Sequence, residues 1–391
     1  MPEPALTPAG AADDVVEEAS GPADDAGLAP EERPVAEAAR RRGFRLPRYR
    51  TGDAEQDRRL VDVLDRTPAT EDLDLLFEIL ASGVRLAGDD TDRLDLKITN
   101  SVLKEMRQAF AIFAPYRDVP KVTIFGSART RADDPLYRHA AELARQLAAR
   151  GWMVVTGAGP GIMQAGMEGA GRERSIGVNI RLPFEQAANE IITGDPKLVT
   201  MKYFFTRKLM LMKESLGFAA LPGGFGTLDE MLELLTLQQT GKAAPAPLVL
   251  LDRPGDGYWA GWQQFVRDHV ERRGYVSPGD TDLAVVTDDV TLAVDHLSGF
   301  YRNYHSIRWV GSRLVVRLKA EPTAAEIAAL DERFRGLCVR GGIEATAPLR
   351  PEVDDGDHLD LPRIALALDP RLAPRLHALI AAVNALPSAA S

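Results

Sequence analysis

Cysteine is almost absent: the 391 residues include one, Cys338. A lone thiol excludes an intrachain disulfide and any zinc site built from several cysteines, and it fits a reducing compartment. Histidine is sparse as well. The six present (139, 269, 296, 305, 358 and 377) form no HExxH and no close pair, so a metal hydrolase is not expected and no metal ligands are assigned. Long apolar runs are missing, with none of about 18 residues, and the N-terminus has neither the basic start nor the apolar centre of a signal peptide. A soluble, cytoplasmic protein with no membrane partner is the expectation. Positive charge is not in excess either. The formal charge of −10 is concentrated in residues 1–33, which hold nine Asp/Glu against one Arg. The remainder is close to neutral and lacks the basic stripe that nucleic acid would require.

What is present divides the chain into four stretches. Residues 1–50 read as an acidic Ala/Pro/Gly-rich tail, disordered to about residue 38, followed by the arginine-rich linker RRRGFRLPRYR at 40–50. Such a tail buries too little apolar area to offset its ordering entropy. The six arginines of the linker suit either a short nucleic-acid or phosphate-binding arm or, more plainly, a segment that pairs with the acidic tail or lies on the next domain. Residues 51–118 carry one-sided helical stripes, Leu73/Leu76/Phe77/Leu80 and Ile98/Val102/Met106/Phe110. In residues 119–303, short β-branched runs at 122–126, 152–157, 175–180, 217–221, 247–251 and 283–287 alternate with amphipathic segments. That alternation predicts an α/β fold with a doubly wound parallel sheet, Rossmann-like and covered on both faces. Residues 304–391 suggest a small α+β unit: strand 308–318, helix 323–335, strands 337–345 and 363–369, and helix 371–385.

Three glycine-rich turns fall at predicted strand ends, Gly126-Ser127-Ala128-Arg129, Gly157-Ala158-Gly159-Pro160-Gly161 and Pro222-Gly223-Gly224-Phe225-Gly226-Thr227. A dinucleotide fingerprint would need G-x-G-x-x-G after the first strand. The first strand ends in GSART and the second in GAGPGI, where Ile162 takes the place of the third glycine. NAD and FAD are therefore rejected, a P-loop motif is missing, and no cofactor is expected. What remains are turns that bring bare backbone N–H groups to an anion at helix N-termini, which points to a monophosphate. The tetrad Thr227-Leu228-Asp229-Glu230 has a purely structural explanation as a capping box, and a second copy, Thr323 to Glu326, precedes a helix with no glycine loop. Its attachment to PGGFG is the unusual feature, since it sets a carboxylate one turn from a phosphate-ready loop. Such a carboxylate suits the hydroxyls or the developing positive charge of a ribose.

The run MKYFFTRKLMLMKESLGFAALPGGFGTLDEMLELLTLQQTGK, 201–242, resembles the LOG ("lonely guy") family, whose hallmark pairs an upstream Arg-Lys with P-G-G-x-G-T-x-x-E. Both parts are present, as Arg207-Lys208 and Pro222 to Glu230, and the likeness extends through FGSART, GAGPGIM and SIGVNIRLPFEQ over about 120–300. The resemblance implies a phosphoribohydrolase that cleaves nucleoside 5′-monophosphates to free base and ribose 5-phosphate. It implies Glu230 and Arg207 as the catalytic pair, with Gly223, Gly224, Gly226 and Thr227 holding the phosphate. Gly126, Ser127, Arg129, Gly157, Gly159, Gly161 and Lys208 are further candidates for substrate contact. Met163 reads as core packing and Glu168 as a solvated position. Many members carry the older label "lysine decarboxylase-like", but no pyridoxal phosphate site is recognisable here. No general acid for the departing base is evident.

Compact members of the family lack the flanking regions found here, which favours a nucleosidase for ordinary nucleotides over a dedicated cytokinin-activating enzyme. A non-catalytic nucleotide sensor using the same pocket is the alternative from another class. A homodimer or higher homo-oligomer is expected.

Overall fold

The computed structural model describes residues 27–68, 72–182, 188–277 and 279–390. Most of the expected acidic tail, and residues 183–187 of the family-like stretch, lie outside the described residues. The chain forms two compact units divided between Leu103 and Lys104.

In the first unit α1 (Arg33–Arg41), α2 (Ala54–Leu64) and α3 (Leu73–Gly88) enclose a small core of Val35, Ala39, Phe44, Leu46, Val61, Leu64, Leu73 and Phe77. Residues 27–50 are therefore folded, where composition suggests a disordered tail and a linker. Val35, Ala36 and Ala39 make one buried face of α1. Phe44 and Leu46, set among the arginines, are buried too. Two of the arginines serve this packing: Arg42 donates to the carbonyls of Leu64 and Thr67, and Arg50 pairs with Glu32 at 3.0 Å. Asp53 caps α2 by accepting from the Glu55 and Gln56 N–H groups.

Helix α4 (Arg93–Phe113) crosses the division. Its expected stripe is only half-buried, and Phe110 stays exposed. Ala109 and Phe113 are buried instead, in a core with Phe125, Met153 and Met210, so this end of the helix belongs to the α/β unit. The unit boundary consequently falls earlier than 118.

The larger unit runs β1 (Lys121–Phe125), α5 (Pro135–Ala149), β2 (Met153–Thr156), α6 (Ile162–Ala170), β3 (Ser175–Ile180), β4 (Leu198–Met201), α7 (Phe204–Lys213), β5 (Gly217–Ala220), α8 (Phe225–Gln239), β6 (Leu248–Leu251), α9 (Tyr258–Phe265), β7 (Ala284–Thr287) and α10 (Val290–Gly299). The strands form one parallel sheet in the order β4-β3-β2-β1-β5-β6-β7. Successive β1 residues feed opposite cores: Val122 and Ile124 meet α5, α6 and α10, while Phe125 faces α7, α8 and α9. Thr123 ties this second face to α7 through a hydrogen bond to the Leu211 carbonyl. The chain leaves β1 toward β2 on one side and reaches its other neighbour, β5, only after β4. The β1/β5 boundary is thus the topological switch point, where open α/β sheets bind ligands beyond the strand ends. Six strands match the expected runs, and β4 is additional.

The rest is β8 (Tyr304–Val310), β9 (Arg313–Leu318), α11 (Ala324–Phe334), β10 (Cys338–Ala345), α12 (Arg350–Asp354), β11 (Arg363–Leu368) and α13 (Leu376–Asn384). Its antiparallel sheet has the order β10-β11-β9-β8. The single strand expected over 308–318 is a hairpin, because Gly311 adopts φ +57° and turns the chain. Leu314, Val316, Leu366, Leu379 and Val383 continue the core that covers the α5/α6/α10 face. Glu352, fully buried, receives Arg317 and Arg363 at 2.8 and 2.7 Å. Among the described residues no helix is long and apolar enough to cross a membrane.

Candidate active site

The turn after β5 decides how the Thr-Leu-Asp-Glu tetrad is used. Gly224 is the N-cap of α8, so the helix begins at Phe225 and Thr227 is already its third residue. No side chain caps this end, and the capping box suggested by the sequence does not form. The second copy does form one: Thr323 Oγ1 accepts from the Glu326 N–H, and Glu326 Oε2 accepts from the Thr323 N–H at 2.7 Å. The difference lies in the glycines, which let the backbone start the helix three residues early. Glu230 is thereby moved into the second turn and faces inward.

The three glycine turns are locked into one surface. The Ser127 N–H donates to the Pro222 carbonyl at 3.2 Å, joining the β1 and β5 turns. The Ile162 N–H donates to the Ser127 carbonyl at 3.1 Å, joining the β2 turn to the β1 turn. Close approach explains the glycines at these joints. A Cβ on Gly161, which has φ +66°, would lie 2.3 Å from the Ser127 carbonyl oxygen, and one on Gly126 would lie 2.5 Å from Ile162. Ala158 is held at φ 59°, a position that costs a non-glycine residue energy, and Asn189 braces it by donating to the carbonyls of Ala158 and Gly159.

Gly223 is crowded by Thr227, whose Oγ1 a Cβ would meet at 2.2 Å, whereas Gly224 and Gly226 face open space. The Tyr258 hydroxyl fixes the loop by donating to the Gly223 carbonyl at 2.7 Å. The N–H groups of Phe225, Gly226 and Thr227 sit in the first turn, where a helix supplies no acceptor and its dipole favours an anion. Phe225 projects outward at 92% exposure. Ser127 accepts the Arg129 N–H on its hydroxyl, and the Arg129 side chain is exposed with no partner among the described residues.

Arg207 and Glu230 meet behind this loop. Arg207 Nη1 lies 3.7 Å from Glu230 Oε1, both side chains largely buried, and Arg207 Nε donates to the Val178 carbonyl of β3 at 3.0 Å. Gly157 makes room for the guanidinium, since a Cβ there would come within 2.1 Å of Nη2. Burial pushes the Glu230 carboxyl up to about 7, outweighing the opposing pull of Arg207; Asp229 adds to the rise. A carboxyl poised near neutrality beside a fixed cation is suited to general base work.

Of the remaining candidates, Lys208 is directed away from the loop into ion pairs with Asp229, at 3.0 Å, and Glu233. Burial opposes its charge, but those carboxylates prevail and hold its pKa above the ordinary value. Met163 packs on the site itself, with its thioether against Gly157 and Gly159, and Glu168 is exposed. Tyr258 and Asn189 escape sequence reasoning, as neither sits in a glycine motif. The cue for Tyr258 is its place just beyond the end of β6, on the ligand side of the sheet.

A family model described as "Possible lysine decarboxylase" matches residues 161–297. A "Probable cytokinin riboside 5′-monophosphate phosphoribohydrolase" of Oryza sativa subsp. japonica is 34% identical over 177 residues, covering 43% of this chain and 79% of the relative. The cytokinin riboside 5′-monophosphate phosphoribohydrolase of Mycobacterium tuberculosis is 32% identical over 157 residues, with coverages of 39% and 79%. Among solved structures, the molybdenum cofactor binding protein of Rippkaea orientalis is 17% identical with a TM-score of 0.33, covering 45% of this chain and 94% of that one.

Proposed function

The chain belongs to the LOG family of phosphoribohydrolases, and from that premise we propose that it hydrolyses the N-glycosidic bond of nucleoside 5′-monophosphates, releasing the base and ribose 5-phosphate. The observation that carries the reading is the buried Glu230 carboxyl, held near pKa 7 beside Arg207 and one helical turn from an open anion loop.

In this reading the 5′-phosphate binds the first-turn amides of α8, where Gly224 and Gly226 leave room for it. Arg129, exposed and without a side-chain partner among the described residues, supplies a cation to the same phosphate. One turn of helix rises about 5 Å, so Glu230 faces the ribose of an anchored nucleotide. Its carboxylate takes the proton of the attacking water and stabilises the positive charge that grows at C1′ as the glycosidic bond lengthens. Arg207 keeps Glu230 aligned and ionised within a buried site. Fixing the phosphate fixes the sugar, and orientation of that kind lowers a barrier by several kcal/mol.

The test is incubation of the purified protein with AMP, GMP, CMP, UMP and N6-isoprenyl AMP, scoring free base and ribose 5-phosphate. Because relatives are cytokinin riboside 5′-monophosphate phosphoribohydrolases, the isoprenyl substrate is an essential arm. Preference for it would identify a cytokinin-activating enzyme. Binding of these nucleotides with no base released from any would identify a sensor and refute hydrolysis.

A further inference from the structure

A cavity of about 570 Å³ lies where α10 and the turn before β7 meet α13. Its size is that of a small-molecule site. Leu283, Phe300 and Ala378 supply an apolar wall, with Arg302 and Arg375 at the rim and His296 and His377 further in. Among the described residues neither guanidinium has a hydrogen-bond or ion-pair partner, and the His296 ring has none either.

The charge balance narrows the ligand. Asp295 is answered by Arg150 at 2.5 Å, which leaves Asp282 against Arg302 and Arg375, an excess of one positive charge. Burial lowers the His296 pKa and brings His377 down to about 4, with the neighbouring His296 adding to the second shift. At neutral pH both rings are hydrogen-bonding groups and not further cations. A monoanion with an apolar body meets all of these features, and a planar carboxylate matches the fork of an arginine.

The cavity is also connected to the catalytic helix. His377 Nε2 and Gln238 Oε1 are 2.7 Å apart, and because the amide oxygen accepts, the ring donates from Nε2. Gln238 Oε1 also accepts the Ala246 N–H, at 3.2 Å, just before β6. Gln238 lies on the buried face of α8 with Glu230 and Leu234. We propose that this cavity binds a small carboxylate with an apolar body, and that occupancy is relayed to α8 through His377 and Gln238. The relay rests on the reading of α8 as the catalytic helix; the binding site does not.

Calorimetric titration of the full chain with benzoate and with phenylacetate tests the site, with inorganic phosphate as a third arm. The expected result is saturable binding of an aryl carboxylate, weakened at least tenfold by Arg375→Ala and by the cavity-filling Ala378→Trp, and unchanged by Glu230→Gln. Both altered positions are exposed, so folding is not at stake. For the relay, the bound carboxylate should change the rate of AMP hydrolysis at least twofold in the wild type, and Gln238→Leu should abolish that change while retaining binding. Failure of both carboxylates to bind, indifference to both variants, or equal binding of inorganic phosphate overturns the site. Binding without any change in rate overturns the relay. If the protein releases no base from any nucleotide, the hydrolase reading fails, and calorimetry still decides the site.

Discussion

Gly157→Ala is the smallest change that should damage the candidate site without touching a catalytic group. The added Cβ would stand 2.1 Å from Arg207 Nη2 and 2.8 Å from Met163 Sδ. Met163 has flexible torsions and can yield. The guanidinium must retreat by about 1 Å or more to reach van der Waals distance, and it is tethered by its 3.0 Å bond to the Val178 carbonyl. Losing that charged hydrogen bond costs about 1.5–3 kcal/mol, while a displacement of about 1 Å at a catalytic pair costs on the order of 100-fold in rate. Arg207 also opposes the rise in the Glu230 pKa. Its retreat should therefore carry the acid limb of the pH–rate profile above its starting point near 7. Steady-state kinetics on the preferred nucleotide from pH 5 to 9, with thermal unfolding measured in parallel, read both effects. A Gly157→Ala protein with unaltered kcat/KM and an unaltered acid limb would show that Arg207 does not govern Glu230.

Three further outcomes follow from the same geometry. Glu230 has a folded-state pKa above its unfolded value, so the stability it contributes is complete below about 4.5 and is lost as pH rises through about 7. Glu230→Gln should then gain stability relative to the wild type at pH 8, by about 3 kcal/mol, and show little difference at pH 4, as denaturant titrations at the two pH values will reveal. Removing Glu352 leaves Arg317 and Arg363 buried without their shared carboxylate; Glu352→Ala should cost about 3–5 kcal/mol, and a loss under about 1 kcal/mol in urea unfolding contradicts that. Tyr258→Phe frees the Gly223 carbonyl and should raise KM for the nucleotide more than it lowers kcat, leaving the acid limb in place; an unchanged KM would deny the hydroxyl its role in setting the loop.

The strands buried on both faces were legible because continuous β-branched runs leave little room for another reading. Strand β4 was not, since it is a four-residue edge strand with one exposed position. At 308–318 the alternation continues through Gly311-Ser312, so the pattern masks a turn that depends on one positive φ. Helix α1 was hidden by averaging: a stretch rich in Ala, Pro and Glu looks disordered in bulk, while Val35, Ala36 and Ala39 still share one side. The motif located the glycine loop and the Arg207/Glu230 pair, but not the orientation of Lys208. Adjacent helical residues point about 100° apart, and here that angle sends Arg207 toward Glu230 and its neighbour toward Asp229 and Glu233. Whether Thr-x-x-Glu caps a helix or contributes to a site depends on what precedes it, as the pairs at 227 and 323 demonstrate.

Ribose 5-phosphate release by Glu230→Gln, at nucleotide concentrations where binding is confirmed by calorimetry, tests the account most directly. The substitution keeps the side chain's shape and removes its capacity to take a proton. The account predicts a loss of at least about 100-fold, the scale of general base catalysis, with nucleotide affinity retained. Turnover by this variant at the wild-type rate would contradict it.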